Sequence, residues 1–127
     1  MCLKTRNYHR NVTSPMFQTL RAMFEIQYDK LSITVDIIGK RIRARRAHVP
    51  ESYREFLELS SIVELVAQQN ATEMVRRLVL EHKTVTRAAR SIFSILEGAH
   101  EGPKADLPTQ RLQVNAEMAW MLGSLLG

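Results

Sequence analysis

The chain has little of what stabilises small secreted proteins or β-rich folds. Its 127 residues include one cysteine, Cys2, so no disulfide can form within the chain, and a reducing cytoplasm is the expected compartment. Aromatic residues make up only 6% of the sequence, and five glycines and four prolines are few for a turn-rich all-β protein. No run approaches the roughly 18 apolar residues of a membrane span, and no signal peptide is evident. We therefore expect a helical, soluble protein.

Positive charge is in excess and is distributed unevenly. The formal net charge is +5, and residues 40–48, KRIRARRAH, carry five of the eighteen basic residues and no acid. Cations are favourable at the C-terminal end of a helix, where they oppose the helix dipole. The alternative is an anion or nucleic-acid contact made by Arg41, Arg43, Arg45 and Arg46. No aromatic residue lies between these cations, which weighs against stacking on single-stranded nucleic acid.

The longest apolar pattern follows Ser14-Pro15, a pair that predicts a helix start with serine as N-cap. Apolar residues then recur at spacings of three and four, the period of an α-helix, until Val49-Pro50 ends the helix near Arg45. The first row contains Phe17, Leu20, Phe24, Tyr28, Leu31, Val35, Ile38 and Ile42, and a second row contains Met16, Met23, Ile26, Ile33 and Ile37. So wide an apolar face predicts burial against several neighbours, as in a helix bundle.

Three more helices are predicted beyond Pro50. Residues 51–60 form a short amphipathic helix, and a long helix begins at Asn70, where Glu73 completes a capping box. That helix closes at Gly98, and a last helix runs from Asp106 to about Leu126. Residues 1–11 predict a helical stub, and no strand-like alternation is present, so the fold class is all-α.

Several segments in this order resemble the Dps miniferritins, the DNA-protection-in-starvation proteins of the ferritin-like superfamily. They are LKTRNYHRNVTSPMFQTL, VDIIGKRIRA, ESYREFLELSSI, ADLPTQRLQV and AWMLGSLL. The resemblance covers essentially residues 1–127 and implies a single ferritin-like domain. The implied fold is a four-helix bundle with a short extra helix between the second and third long helices, and with the first helix truncated.

The resemblance also implies an assembly and an activity. Family members form hollow cages of twelve subunits built from two-fold dimers, in the bacterial cytoplasm. They bind iron(II), oxidise it with hydrogen peroxide at a ferroxidase site in the dimer interface, and store the ferric product, which protects DNA during stress. Some members also bind DNA without sequence preference and associate with the nucleoid.

Five iron-ligand positions are implied by the family, and this chain keeps three of them. His9, Glu25 and Asp36 match the family pattern, whereas Arg21 and Lys40 replace a histidine and an acid. Both replacements are cations, which cannot ligate iron(II) and repel it. Three outcomes stay open: ion pairs of Arg21 and Lys40 with Glu25 and Asp36 across the two-fold axis, a ferroxidase site that works despite the two cations, or one weakly held iron at the three retained positions.

The remaining candidates are weaker. Asp106 matches an acid of the family's iron-entry pore, but it is equally a helix N-cap. We expect His48, His82 and His100 to be surface or helix-flank residues rather than ligands. The leading function is therefore iron oxidation and storage by a Dps-type cage. The alternative is a basic shell with a weakened ferroxidase site that binds DNA or co-assembles with active subunits.

Overall fold

The structure is a computed structural model that describes residues 1–63, 69–98 and 106–126. Within these residues the secondary structure is entirely helical, which confirms the all-α prediction. The helices are α1 (Cys2–Asn11), α2 (Phe17–Ala44), α3 (Tyr53–Leu59), α4 (Ala71–Gly98) and α5 (Asp106–Gly123), and a 3₁₀ turn (Ser124–Leu126) follows α5. None of the described helices combines the length and the apolar character needed to cross a membrane. The helices form two compact units, Met1–Gln68 and Gln69–Gly127.

Side chains cap the helices where short polar residues precede them. The predicted capping box of α4 is confirmed, because the Glu73 N–H donates to Asn70 Oδ1 at 2.9 Å and the Asn70 N–H donates to Glu73 Oε2 at 3.2 Å. The short helix α3 has a second capping box, formed by Ser52 and Glu55. Hydrogen bonds lower the pKa of Glu55 to about 2, and the one from the Ser52 hydroxyl contributes most.

The predicted start of α2 is wrong by about half a turn. The helix begins at Phe17, and Ser14 instead closes a turn by accepting a hydrogen bond from the Met16 N–H at 3.1 Å. The Phe17 N–H also donates to the Ser14 carbonyl at 2.9 Å. Proline suits the second position of such a turn as well as the first position of a helix, so Ser-Pro alone does not distinguish the two.

The first unit is built on the contact between α1 and α2. The ring centroids of Tyr8 on α1 and Phe24 on α2 lie 6.2 Å apart, and both side chains are buried together with Val12 and Leu20. This contact confirms the predicted helical stub over residues 1–11 and gives it a packing role.

The second apolar row of α2 is not buried, contrary to the prediction. Ile26 and Ile33 are 56% and 63% exposed, whereas Leu20 and Phe24 of the first row are buried. The two rows lie on different faces of α2, because Leu20, Phe24 and Leu31 are buried at spacings of four and seven residues, whereas Ile26 and Ile33 lie on another face. An apolar stripe of this kind marks an interaction surface more often than a solvated one.

The second unit packs α4 against α5 around one buried polar pair. His82 is fully buried, so its predicted place at the surface is wrong. Its Nδ1 donates to Asn115 Oδ1 at 2.9 Å, and Asn115 Nδ2 donates to the Arg111 carbonyl at 2.8 Å. Burial lowers the pKa of His82 and keeps the imidazole neutral.

The predictions for His48 and His100, the other two isolated histidines, have different outcomes. His48 is exposed, as predicted, with its Nε2 3.1 Å from Glu55 Oε1. His100 lies outside the described residues.

Candidate iron site

The orientation of His9 is fixed by a hydrogen bond to the backbone of α2. It lies on α1, is only 8% exposed, and its Nδ1 is 2.9 Å from the backbone carbonyl oxygen of Arg21 on α2. A carbonyl can only accept, so Nδ1 donates and the Nε2 lone pair is left for another partner. Metal-binding histidines commonly donate their second N–H to a backbone carbonyl in this way.

Aromatic packing fixes the same imidazole from a second side. The ring of Tyr28 on α2 contacts the His9 ring edge-on, with centroids 5.3 Å apart and planes at 80°. The Arg6 guanidinium carbon lies 5.0 Å from the Tyr28 ring centroid. The Cys2 thiol is 3.5 Å from the Tyr28 carbonyl oxygen. His9 on α1 therefore packs against α2 through Tyr28, which Arg6 and Cys2 of α1 also contact.

Arg21 does not neutralise Glu25 within the chain. Its guanidinium carbon lies 5.6 Å from the Phe17 ring centroid, and the described residues show no Arg21–Glu25 ion pair. Glu25 is exposed one helical turn beyond Arg21. The carboxylate thus remains available as an oxygen donor, and pairing of Arg21 across a two-fold axis stays a prediction.

Lys40 does pair with Asp36, but inside one helix rather than across an axis. Lys40 Nζ is 3.1 Å from Asp36 Oδ2, and both side chains are largely exposed. Solvent-exposed pairs at this spacing contribute only about 0.3–0.5 kcal/mol. A competing cation can therefore displace Lys40 from Asp36 at little cost.

Asp36 and Lys40 line an open groove of about 840 Å³ on the surface of the first unit. Ile33 and Arg43 of α2 form one side of this groove, and Val49 and Glu51 belong to the segment beyond the helix. The groove places apolar, acidic and basic side chains of the first unit next to one another on an open surface.

The three predicted ligands do not converge in one chain. Glu25 and Asp36 are separated by about 16 Å along α2 at a rise of about 1.5 Å per residue. The described residues accordingly contain no group of three histidine, cysteine, aspartate or glutamate side chains able to hold a metal. A site that uses His9, Glu25 and Asp36 needs two copies of the chain.

The basic residues beyond Lys40 are exposed at the end of α2. Arg41, Arg43, Arg45 and Arg46 all face solvent, and Arg43 Nη1 donates to the Ala47 carbonyl at 3.2 Å. Arg46 has a φ of 60°, the left-handed conformation that follows a helix end. Both the dipole interpretation and the anion interpretation fit this placement.

Asp106 lies at the start of α5. Its Oδ1 accepts from the Leu107 N–H at 2.8 Å, and its side chain is exposed. The pore role stays a prediction.

Sequence patterns did not single out Tyr28 or Arg6. Tyr28 was placed in an apolar row only by its spacing, but it lies seven residues after Arg21 and three after Glu25, on the same helix face. This spacing from Arg21 and Glu25 was the one sequence feature that indicated a contact between the Tyr28 ring and His9.

The comparisons with known proteins agree with this fold. The ferritin-like domain model matches residues 1–127. An uncharacterized low temperature-induced protein of Nostoc sp. is 30% identical over 99% of this chain and 72% of that protein. DNA protection during starvation protein 2 of Bacillus anthracis is 28% identical over 97% of this chain and 84% of that protein. The structure of Dps from Staphylococcus aureus is 25% identical, with a TM-score of 0.93 over 99% of this chain and 85% of the other.

These matches define the class of protein, which is ferritin-like. Within that class the chain belongs to the Dps family of miniferritins, and its fold is the ferritin-like four-helix bundle. The short helix α3 lies between the long helices α2 and α4, where the resemblance predicted it.

Proposed function

We propose that this protein is a Dps-type miniferritin that binds iron(II), oxidises it with hydrogen peroxide and stores the ferric product, thereby protecting DNA from oxidative damage. The observation that carries the proposal is His9, whose Nδ1 is committed to the Arg21 carbonyl while Nε2 is left for a ligand. The carboxylates of Glu25 and Asp36 add the hard oxygen donors that iron favours alongside imidazole. Iron is the substrate and cargo of the site.

The proposed site is shared between two copies. Asp36 is too far along α2 to meet His9 and Glu25 of its own chain, so it serves the site of a second copy related by a two-fold axis. The exposed apolar row on α2, which includes Ile26 and Ile33, supplies the surface that such a contact would cover. We place these dimers in a homo-oligomeric, dodecameric cage in the bacterial cytoplasm.

We expect each of the two symmetry-related sites in a dimer to hold one iron rather than two. Arg21 and Lys40 occupy two family ligand positions, and a unit charge at 4 Å from another is worth about 1–4 kcal/mol at effective dielectric constants of 80 to 20. A doubly charged cation at that distance is repelled about twice as strongly, which weakens its binding by at least about an order of magnitude. Iron binding is therefore expected to be weak and mononuclear.

Stopped-flow absorbance after mixing protein, iron(II) and hydrogen peroxide tests the activity. Ferric absorbance should rise faster than in a protein-free control, and Arg21→His with Lys40→Glu should accelerate it because both changes restore ligand types. Lys30→Glu makes the same two-unit charge change as Lys40→Glu elsewhere on α2 and is the matched control for that substitution. A wild-type trace that equals the protein-free trace would contradict the proposal.

DNA binding by the assembled shell is the second candidate. It is favoured by the exposure of four arginines at the end of α2 and by the net charge of +5, repeated in every subunit. A gel-shift series over salt should show retention at low salt that is lost as salt rises. Arg45→Ala with Arg46→Ala should weaken retention and flatten its salt dependence, whereas Arg76→Ala with Arg77→Ala on α4 serves as control.

A further inference from the structure

We propose that the exposed face of α1 binds an inorganic phosphate ion between the guanidinium groups of Arg6 and Arg10. The site lies beside His9 but does not use that side chain as a ligand. Because it requires no iron, it goes beyond the proposed function and can be tested on metal-free protein.

The helix α1 carries several basic side chains and no acidic one. Its basic residues are Lys4, Arg6, His9 and Arg10. Lys4 Nζ donates to the Val63 carbonyl oxygen at 3.0 Å. The exposed guanidinium groups of Arg6 and Arg10, in contrast, form no hydrogen bond or ion pair in the part of the chain that the structure describes. Two cations with their N–H donors available for an added anion therefore lie on one short helix.

The spacing of these two arginines suits a tetrahedral oxyanion. Residues four apart on a helix are neighbours, with Cβ atoms about 5–6 Å apart, and like charges at this spacing repel each other. An anion held between the two guanidinium groups replaces that repulsion with two attractions. Each guanidinium can donate two parallel hydrogen bonds to a pair of oxygens. Since phosphate has four oxygens, one ion can accept such a pair from each arginine.

Tyr28 orients one of the two guanidinium groups. The Arg6 guanidinium carbon lies 5.0 Å from the Tyr28 ring centroid, and the Tyr28 ring is itself in edge-on contact with the buried His9 ring at 5.3 Å. A guanidinium that stacks on a ring uses its face for that contact and keeps the N–H groups at its edge for oxygen acceptors. Because the ring restricts Arg6 before the ion arrives, less side-chain entropy is lost when phosphate binds.

Two carboxylates of α2 lie near Tyr28 in the sequence, and neither neutralises these arginines. Glu25 and Asp29 are exposed, and within the described residues neither forms an ion pair with Arg6 or Arg10. Glu25 precedes Tyr28 by three residues and shares its side of α2, so it is the carboxylate best placed to compete with an added anion. Phosphate has the advantage, because a dianion is attracted to the same cations about twice as strongly as one carboxylate at equal distance.

Phosphorus NMR of inorganic phosphate, titrated with the assembled metal-free protein at pH 8, tests this site. Phosphate bound to a large assembly relaxes faster than free phosphate, so its linewidth should rise saturably as protein is added. Arg10→Gln removes one pair of donors from a side chain that makes no other hydrogen bond or ion pair among the described residues, and it should weaken phosphate binding about tenfold. Arg77→Gln, at an exposed arginine of α4, is the matched control and should retain wild-type binding.

Two further measurements separate recognition of phosphate from general attraction of charge. Arg6→Lys keeps the positive charge but lacks the planar pair of donors, so it should also weaken binding. Sulfate should displace phosphate more effectively than chloride does at equal ionic strength. A phosphate linewidth that does not respond to wild-type protein, equal affinity in Arg10→Gln and Arg77→Gln, wild-type affinity in Arg6→Lys, or equal displacement by chloride and sulfate would overturn the inference. Each of these results would leave the proposed function standing, because ferric absorbance tests that function without phosphate.

Discussion

The buried pair of His82 and Asn115 gives the sharpest stability prediction. Asn115→Leu removes the acceptor that lies 2.9 Å from His82 Nδ1 and leaves that N–H without its partner in a fully buried position. An unsatisfied buried donor costs about 1–3 kcal/mol. The companion change His82→Leu strands Asn115 Oδ1 instead and should cost a similar amount. In the double variant both polar groups are gone, and leucine is apolar at both positions.

A double-mutant cycle measured by urea unfolding at fixed protein concentration checks this reasoning. We expect the double variant to be at least about 1 kcal/mol more stable than the sum of the two single changes implies, because the Nδ1 donor and the Oδ1 acceptor are removed together. Thr84→Ala with Arg87→Ala, an exposed pair on the same helix joined by a 3.3 Å hydrogen bond, should show coupling near zero. Additive losses at His82 and Asn115 would refute the view that their hydrogen bond is what matters.

The free energy of unfolding should fall as the pH drops below about 6.5, because the buried His82 has a lowered pKa and its imidazole takes up a proton more readily in the unfolded chain. Urea unfolding at pH 7 and pH 5 measures this fall, which should be smaller in His82→Leu. Ile33→Asp should shift the sedimentation profile toward smaller species, since it puts a charge in the exposed apolar row of α2, whereas Thr19→Asp on the same helix should leave assembly intact; equal profiles would show that this row is not an interface. Ser52→Ala should reduce far-UV helicity only slightly, because it removes the cap of the seven-residue helix α3, and a global loss of stability would contradict that local role.

Local signals in the sequence predicted most of the helices. The Asn70–Glu73 capping box is a contact between residues three apart, so its residue types alone were enough to place the start of α4. The prediction that α2 starts at Ser14-Pro15 is wrong because a turn and a helix start use the same two residues in similar backbone conformations. The separation of Glu25 from Asp36 also follows from helical rise, and it already implies a site shared between chains.

Sequence patterns did not predict the contacts between helices. An isolated histidine such as His82 has no periodic partner, and its burial depends on how α4 packs against α5, where Asn115 supplies the acceptor. The orientation of His9 likewise depends on a backbone carbonyl of α2, which every residue carries and no motif reports. The spacing of Tyr28 assigns it to an apolar row of α2, but that spacing does not indicate whether its ring contacts solvent, leucine or imidazole.

The most direct test of the iron site is anaerobic iron(II) titration of the assembled protein, with wild type and His9→Ala compared by Mössbauer spectroscopy. A site organised by His9 predicts one bound iron per retained ligand set in the wild type, with nitrogen coordination that disappears in His9→Ala. Two coupled irons per site in the wild type, or the same spectrum in His9→Ala, would contradict it.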